Sequence, residues 1–414
     1  MAYGDYADAN DTTFGGAGRR AAPSAHLDDV FDDPEHGEPG RDRLGIHVVW
    51  ELLLLLGVGA IGFLLWRGHE AAFRGVELKT LLVTMAALGF ITLGAGLSLR
   101  VAAPNLAVGP VAIAASIFFA KEGDRGVVGT TGVVAVFALG LGIALAILVV
   151  GFHVPGWAAG LAAAFVAIVY IQKHSGPVAV TGGYNPIRHA YYLAGAFVAL
   201  AILGGLVGSI KSVRRAVGRF RPVADPARRR GGVAAGLTAA SLILSTVLAA
   251  VGGILLAALD GALNRQVLPL SGLEYTGLAI GAALLGGTSA FGRRGGIFGT
   301  LFAVVLVVLF IRYDEAENWR ISVYALAAAL VAGGLIVTRL VETMGRPLSY
   351  RDGDDEDSDD TWVTSGGTQP LTGAGASWTP PRQDSWSSSL PAQPSTGRTS
   401  DLWSDDRWGS RSSS

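Results

Sequence analysis

Few residues in this chain have the types and spacing to do chemistry. Arg228, Arg229 and Arg230 follow Pro222 and Pro226, and guanidinium groups in such a row suit bidentate pairing with carboxylates on a partner. The other use of such a cluster is to fix topology against lipid headgroups. Asn105 and Thr276 form a second set, a neutral amide and a hydroxyl. Such groups exchange hydrogen bonds with a sugar or another polar neutral solute, or else bond across neighbouring helices. The missing chemistry excludes more. The 414 residues contain no Cys, which removes disulfides, thiolate zinc sites and iron–sulfur ligation. No Gly-x-x-x-x-Gly-Lys-Ser/Thr loop offers its backbone N–H groups and lysine to phosphates, so any nucleotide hydrolysis belongs to another chain. His47, His69, His153, His174 and His189 have no i,i+4 pair and no acidic partner at ligand spacing, and are expected to be interfacial side chains. No metal site, catalytic residue or nucleic-acid partner is expected.

The elements that position these residues must lie in a membrane. Hydrophobic residues make up 50% of the chain and charged residues only 16%, while 58 glycines are about twice the ordinary share. Ten apolar runs cover 48–66, 81–99, 104–120, 127–150, 157–171, 191–210, 232–259, 270–285, 297–311 and 321–338. In hydrocarbon each backbone polar group must be satisfied within its own segment, so these runs predict an all-α polytopic protein. The 46–345 core carries 22 basic and 12 acidic residues, whereas 1–45 and 346–414 are acidic. Both ends are expected to be disordered tails, the second rich in Ser and Asp with five tryptophans that include Trp403 and Trp408. The acidic leader is too long and too negative for a secretory signal. Eight basic residues between the sixth and seventh runs face one acid, Asp225, which places that loop and both termini in the cytoplasm.

Two runs are interrupted. VAAPNLAVGP at 101–110 opens the third run with two prolines, and GGTSAFGRRGGIFGT at 286–300 joins the eighth and ninth. Paired breaks, one in each half, are expected at the working centre of a transporter built from repeats; close helix contact is the alternative use of such residues.

The stretch 275–310 resembles the signature region of ABC importer permeases of the ribose and sugar type, a group that includes branched-chain amino acid permeases. Gly286, Gly287, Thr288, Ser289, Gly292, Gly295, Gly299 and Thr300 keep the family's offsets. APNLAVG at 103–109 looks like the family's Asp-Leu-Ser-Val-Gly, with Leu106, Val108 and Gly109 retained, and ARRRGG at 227–232 stands where the family docks on its ATPase. The resemblance covers about residues 80–340 and implies two related halves with helix breaks. Asn105, Gly109 and Thr276 would then line the substrate path, and Arg228, Arg229 and Arg230 would couple to the ATPase.

The implied partners are a second permease subunit (the same chain or a different one), two cytoplasmic ATP-binding cassette subunits that hold ATP and Mg, and an extracytoplasmic solute-binding protein. The implied location is the bacterial cytoplasmic membrane. Asn105 replaces a family Asp, Ala107 a Ser, and Thr276 and Leu278 a Glu and an Asp, with Glu274 two residues out of register. The alternatives are an ion-gradient-driven transporter or channel, disfavoured by carboxylates that sit at span ends such as Glu51 and Glu274, and a degenerate scaffold.

Overall fold

The computed structural model describes residues 44–210, 213, 232–289 and 297–344. Arg228, Arg229 and Arg230, expected to couple to an ATPase, lie outside the described residues, as do Gly292, Gly295 and both tails. The described part belongs to one of two compact units, Met1–Asp354; the other is Asp355–Ser414.

Ten α-helices stand among the described residues: α1 Leu44–Gly68, α2 Gly75–Arg100, α3 Val108–Glu122, α4 Val127–Ala146, α5 Gly156–Gln172, α6 Ala190–Ser209, α7 Gly232–Ala262, α8 Leu273–Leu285, α9 Gly299–Glu317 and α10 Val323–Met344. Each falls on one of the apolar runs. Six spans are long and apolar enough to cross a membrane: Val48–Gly68, Gly75–Arg100, Val127–Gly151, Pro186–Ser209, Gly232–Ala262 and Val323–Leu340. α3, α5 and α8 are shorter, at 15, 17 and 13 residues. At about 1.5 Å per residue, α8 covers only about 20 Å, well short of the hydrocarbon thickness.

The two longest helices, α7 and α2, set the core: α7 packs on α2, α3 and α4, and α2 packs also on α8, α6 and α9, while α8 packs on α10. Small residues permit this closeness: a Cβ on Gly253 would overlap the Ala112 carbonyl of α3, and one on Gly94 would come within 2.7 Å of the Ser245 carbonyl oxygen. Dispersion contacts between close backbones, with buried hydroxyls bonded across the seam, hold helices together where lipid offers no hydrophobic force. Ser116 Oγ donates to the Gly253 carbonyl at 2.6 Å and Thr246 Oγ1 to the Ala138 carbonyl at 2.9 Å. By contrast α1 lies at the periphery, its Leu52, Leu53, Leu56 and Phe63 exposed as a lipid-facing helix requires. Trp157 and Trp319 are more than half exposed, at the start of α5 and just beyond α9.

Outside the helices, Val178 and Val267 form one antiparallel bridge, with N···O distances of 2.8 and 2.9 Å in its two bonds, which ties the α5–α6 connection to the α7–α8 connection.

Candidate functional site

The first break, between α2 and α3, is largely buried and tied by hydrogen bonds to three helices. α2 ends as Ala102 turns into the left-handed region with φ 53°, and its N–H donates to Leu99 while the next, on Ala103, donates to Ser98. These two bonds are a Schellman cap, which satisfies carbonyls the helix end would otherwise leave open. Asn105 comes next in the turn, wholly buried. Its Oδ1 accepts from Ala107 N at 3.0 Å, its Nδ2 donates to Ser245 Oγ of α7 at 3.0 Å, and its own N–H donates to Ser98 Oγ at 3.0 Å. One amide thus stands in for the backbone partners the irregular segment has lost.

Thr276, in the first turn of α8, closes the same break from the other side. Its Oγ1 donates to the Leu106 carbonyl at 3.1 Å and accepts from Gly109 N at 3.1 Å. The approach requires glycine, since any Cβ on Gly109 would overlap the Gly272 carbonyl. Gly272 itself stands at φ 81° as the N-cap of α8. The structure therefore brings Asn105, Gly109 and Thr276 into one polar cluster, in which both side chains bond across helices.

The second break, between α8 and α9, starts with the same cap. Gly287 at φ 83° donates to Leu284, and Thr288 N–H donates to Ala283. Gly286 and Gly299 then meet backbone to backbone, for a Cβ on Gly299 would overlap the Gly286 carbonyl and one on Gly286 would come within 2.7 Å of Thr300. Thr288, Ser289 and Thr300 are buried beside this contact. This cluster sits at the opposite end of α8 from Thr276, about 15 Å away along the helix, so the two sets of site residues form two sites.

Two residues of α1 grip the second break. Trp50 Nε1 donates to the Leu285 carbonyl, at the end of α8, at 2.7 Å. Glu51 Oε1 accepts from Phe298 N at 2.8 Å and Gly299 N at 3.0 Å, where α9 begins. A carboxylate at a helix N-terminus satisfies unpaired N–H groups and meets the positive end of the helix dipole. By its place in the sequence Glu51 is merely a residue at a span end. A signal was available, because Glu51 is the one ionisable residue between Val48 and Trp66 and charge within a membrane segment needs a partner.

At the far end of α9, Arg312 pairs with Glu77 and Glu315, and His69 meets Glu317 at 3.3 Å. All of these but Glu317 line a pocket of 320 Å³, together with Ala71, Ala72 and Ala316. Sequence spacing offers His69 no acidic partner; the fold supplies one 248 residues away. Among the described residues no group of three or more His, Asp or Glu is placed to hold a metal ion. The chain matches no protein-family model, no curated protein and no solved structure. Its six long apolar helices make it a multi-pass helical membrane protein.

Proposed function

We propose that this chain is the permease subunit of an ATP-driven importer for a sugar or similar polar solute. In this reading the ten helices are embedded in the bacterial cytoplasmic membrane as two related halves, α8 as a half-span that ends at the second break, with the 211–231 loop and both termini inside. Two such subunits flank one path, ATP-binding cassette subunits burn ATP below, and a solute-binding protein delivers cargo from outside.

The observation that carries the reading is the pair of breaks. α2 and α8 end in the same Schellman cap, and beside each cap glycine backbones meet closely, Gly109 with Gly272 and Gly286 with Gly299. Unwound backbone inside a membrane protein is tolerated where protein or a cavity satisfies it, and paired breaks suit a centre about which two halves rock. Asn105 and Thr276 supply neutral donors and acceptors that bond across helices when the path is shut and turn to solute hydroxyls when it opens. The second break abuts α6, since a Cβ on Gly205 would come within 2.6 Å of the Ile297 carbonyl oxygen. α7 begins two residues after Arg230, so movement imposed on Arg228, Arg229 and Arg230 by an ATPase would reach the first break through α7, whose Ser245 bonds Asn105.

The test is transport in vesicles. Uptake of labelled sugar is expected to need ATP on the cytoplasmic side and the ATPase subunits. Replacing the three arginines by Gln should leave insertion intact and cut ATP-dependent uptake. Solute flux through the purified chain alone in liposomes would sink the proposal.

A further inference from the structure

The first turn of α8 contains a second polar centre, which faces away from the breaks. Glu274 is 3% exposed, and among the described residues no other carboxylate is buried. Its Oε2 accepts from Ser271 Oγ at 3.2 Å and from Tyr324 OH of α10 at 3.2 Å. Its Oε1 is buried with no hydrogen-bond partner. Among the described residues no Lys, Arg or His forms an ion pair with it; the ion pairs cluster instead around Arg312 and His69 and in short-range pairs such as Arg125 with Glu122.

The groups around it add no positive charge. Tyr275, beside it in α8, lies within electrostatic reach of both Glu274 and Asp260 at the end of α7. The nearby Arg265 acts on Asp260. From α10 comes Tyr324, from the α7–α8 connection Ser271, both neutral. An ionised carboxylate with one oxygen unmatched in a buried setting is unfavourable, and proteins relieve this with a partner charge. Protonation on Oε2, with the proton donated to Ser271 Oγ or Tyr324 OH, would relieve the charge yet still leave Oε1 buried without a partner. A small cation relieves both at once, because it needs only oxygen ligands, and Glu274 Oε1, Ser271 Oγ and Tyr324 OH are hard oxygens in one corner.

We propose that Glu274, with Ser271 and Tyr324, is the seat of an inorganic monovalent cation such as Na⁺ or K⁺, held where α8 and α10 begin. Tyr324 is 58% exposed, so its ring covers the carboxylate from outside and swings away to admit the ion. The site is independent of any ATPase partner, and its test does not involve transport.

The full chain in nanodiscs is unfolded thermally at fixed neutral pH and equal ionic strength in Na⁺, K⁺ or N-methyl-D-glucamine chloride. A cation that binds only the folded state should raise the midpoint by roughly 5 °C over N-methyl-D-glucamine when near saturation. Comparison of Na⁺ with K⁺ identifies the preferred ion. Glu274→Gln keeps the size of the side chain and should abolish the response. Tyr324→Phe removes one ligand at an exposed position and should shrink it, which preserves the test if the Gln variant fails to fold. Equal midpoints in all three salts would overturn the site, as would a Glu274→Gln chain that still responds. A further melt in N-methyl-D-glucamine chloride at lower pH completes the set: a midpoint raised there, with no response to Na⁺ or K⁺ at neutral pH, would assign the carboxylate to a proton and overturn the site equally.

Discussion

The α2–α3 and α8–α9 breaks begin alike and close differently. Both interrupt a helix with a left-handed residue and the same two capping bonds. At the first break that residue is Ala102, and polar side chains from three elements complete the closure: Ser98, Asn105 with Ser245, and Thr276. At the second it is Gly287, and glycine backbones touch directly. The side chains of the described residues that bridge α8 and α9 there come from α1, a helix mostly exposed on its apolar faces. The first break is thus locked from within the core, whereas the second is held by a peripheral clip. Releasing a clip on an outer helix leaves the core helices packed, whereas opening the first break parts bonds between α2, α7 and α8.

Substitutions at each break sharpen this contrast. The largest loss is expected for Gly109→Ala, whose Cβ overlaps the Gly272 carbonyl at a position with no room to yield; about 3 kcal/mol is expected, read as a lowered unfolding midpoint. Glu51→Ala removes the carboxylate from two α9 N–H groups and should cost about 2 kcal/mol. Its signature is faster proteolysis at 286–298 with α2 and α3 still protected; uniform loss of protection across both breaks would erase the contrast between lock and clip. Thr276→Val keeps the shape but strands the Gly109 N–H, at about 1–2 kcal/mol, measured by the same unfolding curve.

Next come the caps. Gly287→Ala should destabilise by about 1 kcal/mol, while Ala102→Gly should stabilise by up to about 1 kcal/mol, because only glycine takes φ near +60° without strain. Equal effects of the same sign would show that the two caps are not alike. The smallest change is expected for Arg312→Gln, since its pairs with Glu77 and Glu315 are solvent-exposed and worth less than about 1 kcal/mol.

Much of the site was visible in the linear chain, and the rest has specific reasons for being hidden. The two prolines at 101–110 and the clustered glycines at 286–300 locate both breaks, because Pro removes a helix N–H and closely spaced glycines cost a helix the most entropy. Ala102 carries no such mark, since its left-handed conformation is imposed by the buried turn through Ala103 and Asn105. Glu51 reads as a terminal acid, because nothing nearby in sequence says that it lies against α9, almost 250 residues further on. Ser98 and Ser245 are ordinary small polar residues until Asn105 is placed between them. Glu274 reads as harmlessly terminal too, though the arrival of α10 buries it.

Sequence alone determined the class of solvent and the helical architecture. Long apolar runs with few charges must enter lipid, and lipid obliges each run to satisfy its own backbone. These are local constraints, settled within a segment. Tertiary structure decided which polar groups meet: Asn105 with Ser245, Thr276 with Gly109, Glu51 with α9, and Glu274 with Tyr324 but with one oxygen left over. A hydrogen bond acts over about 3 Å, and residues far apart in the chain come that close only once whole helices have docked.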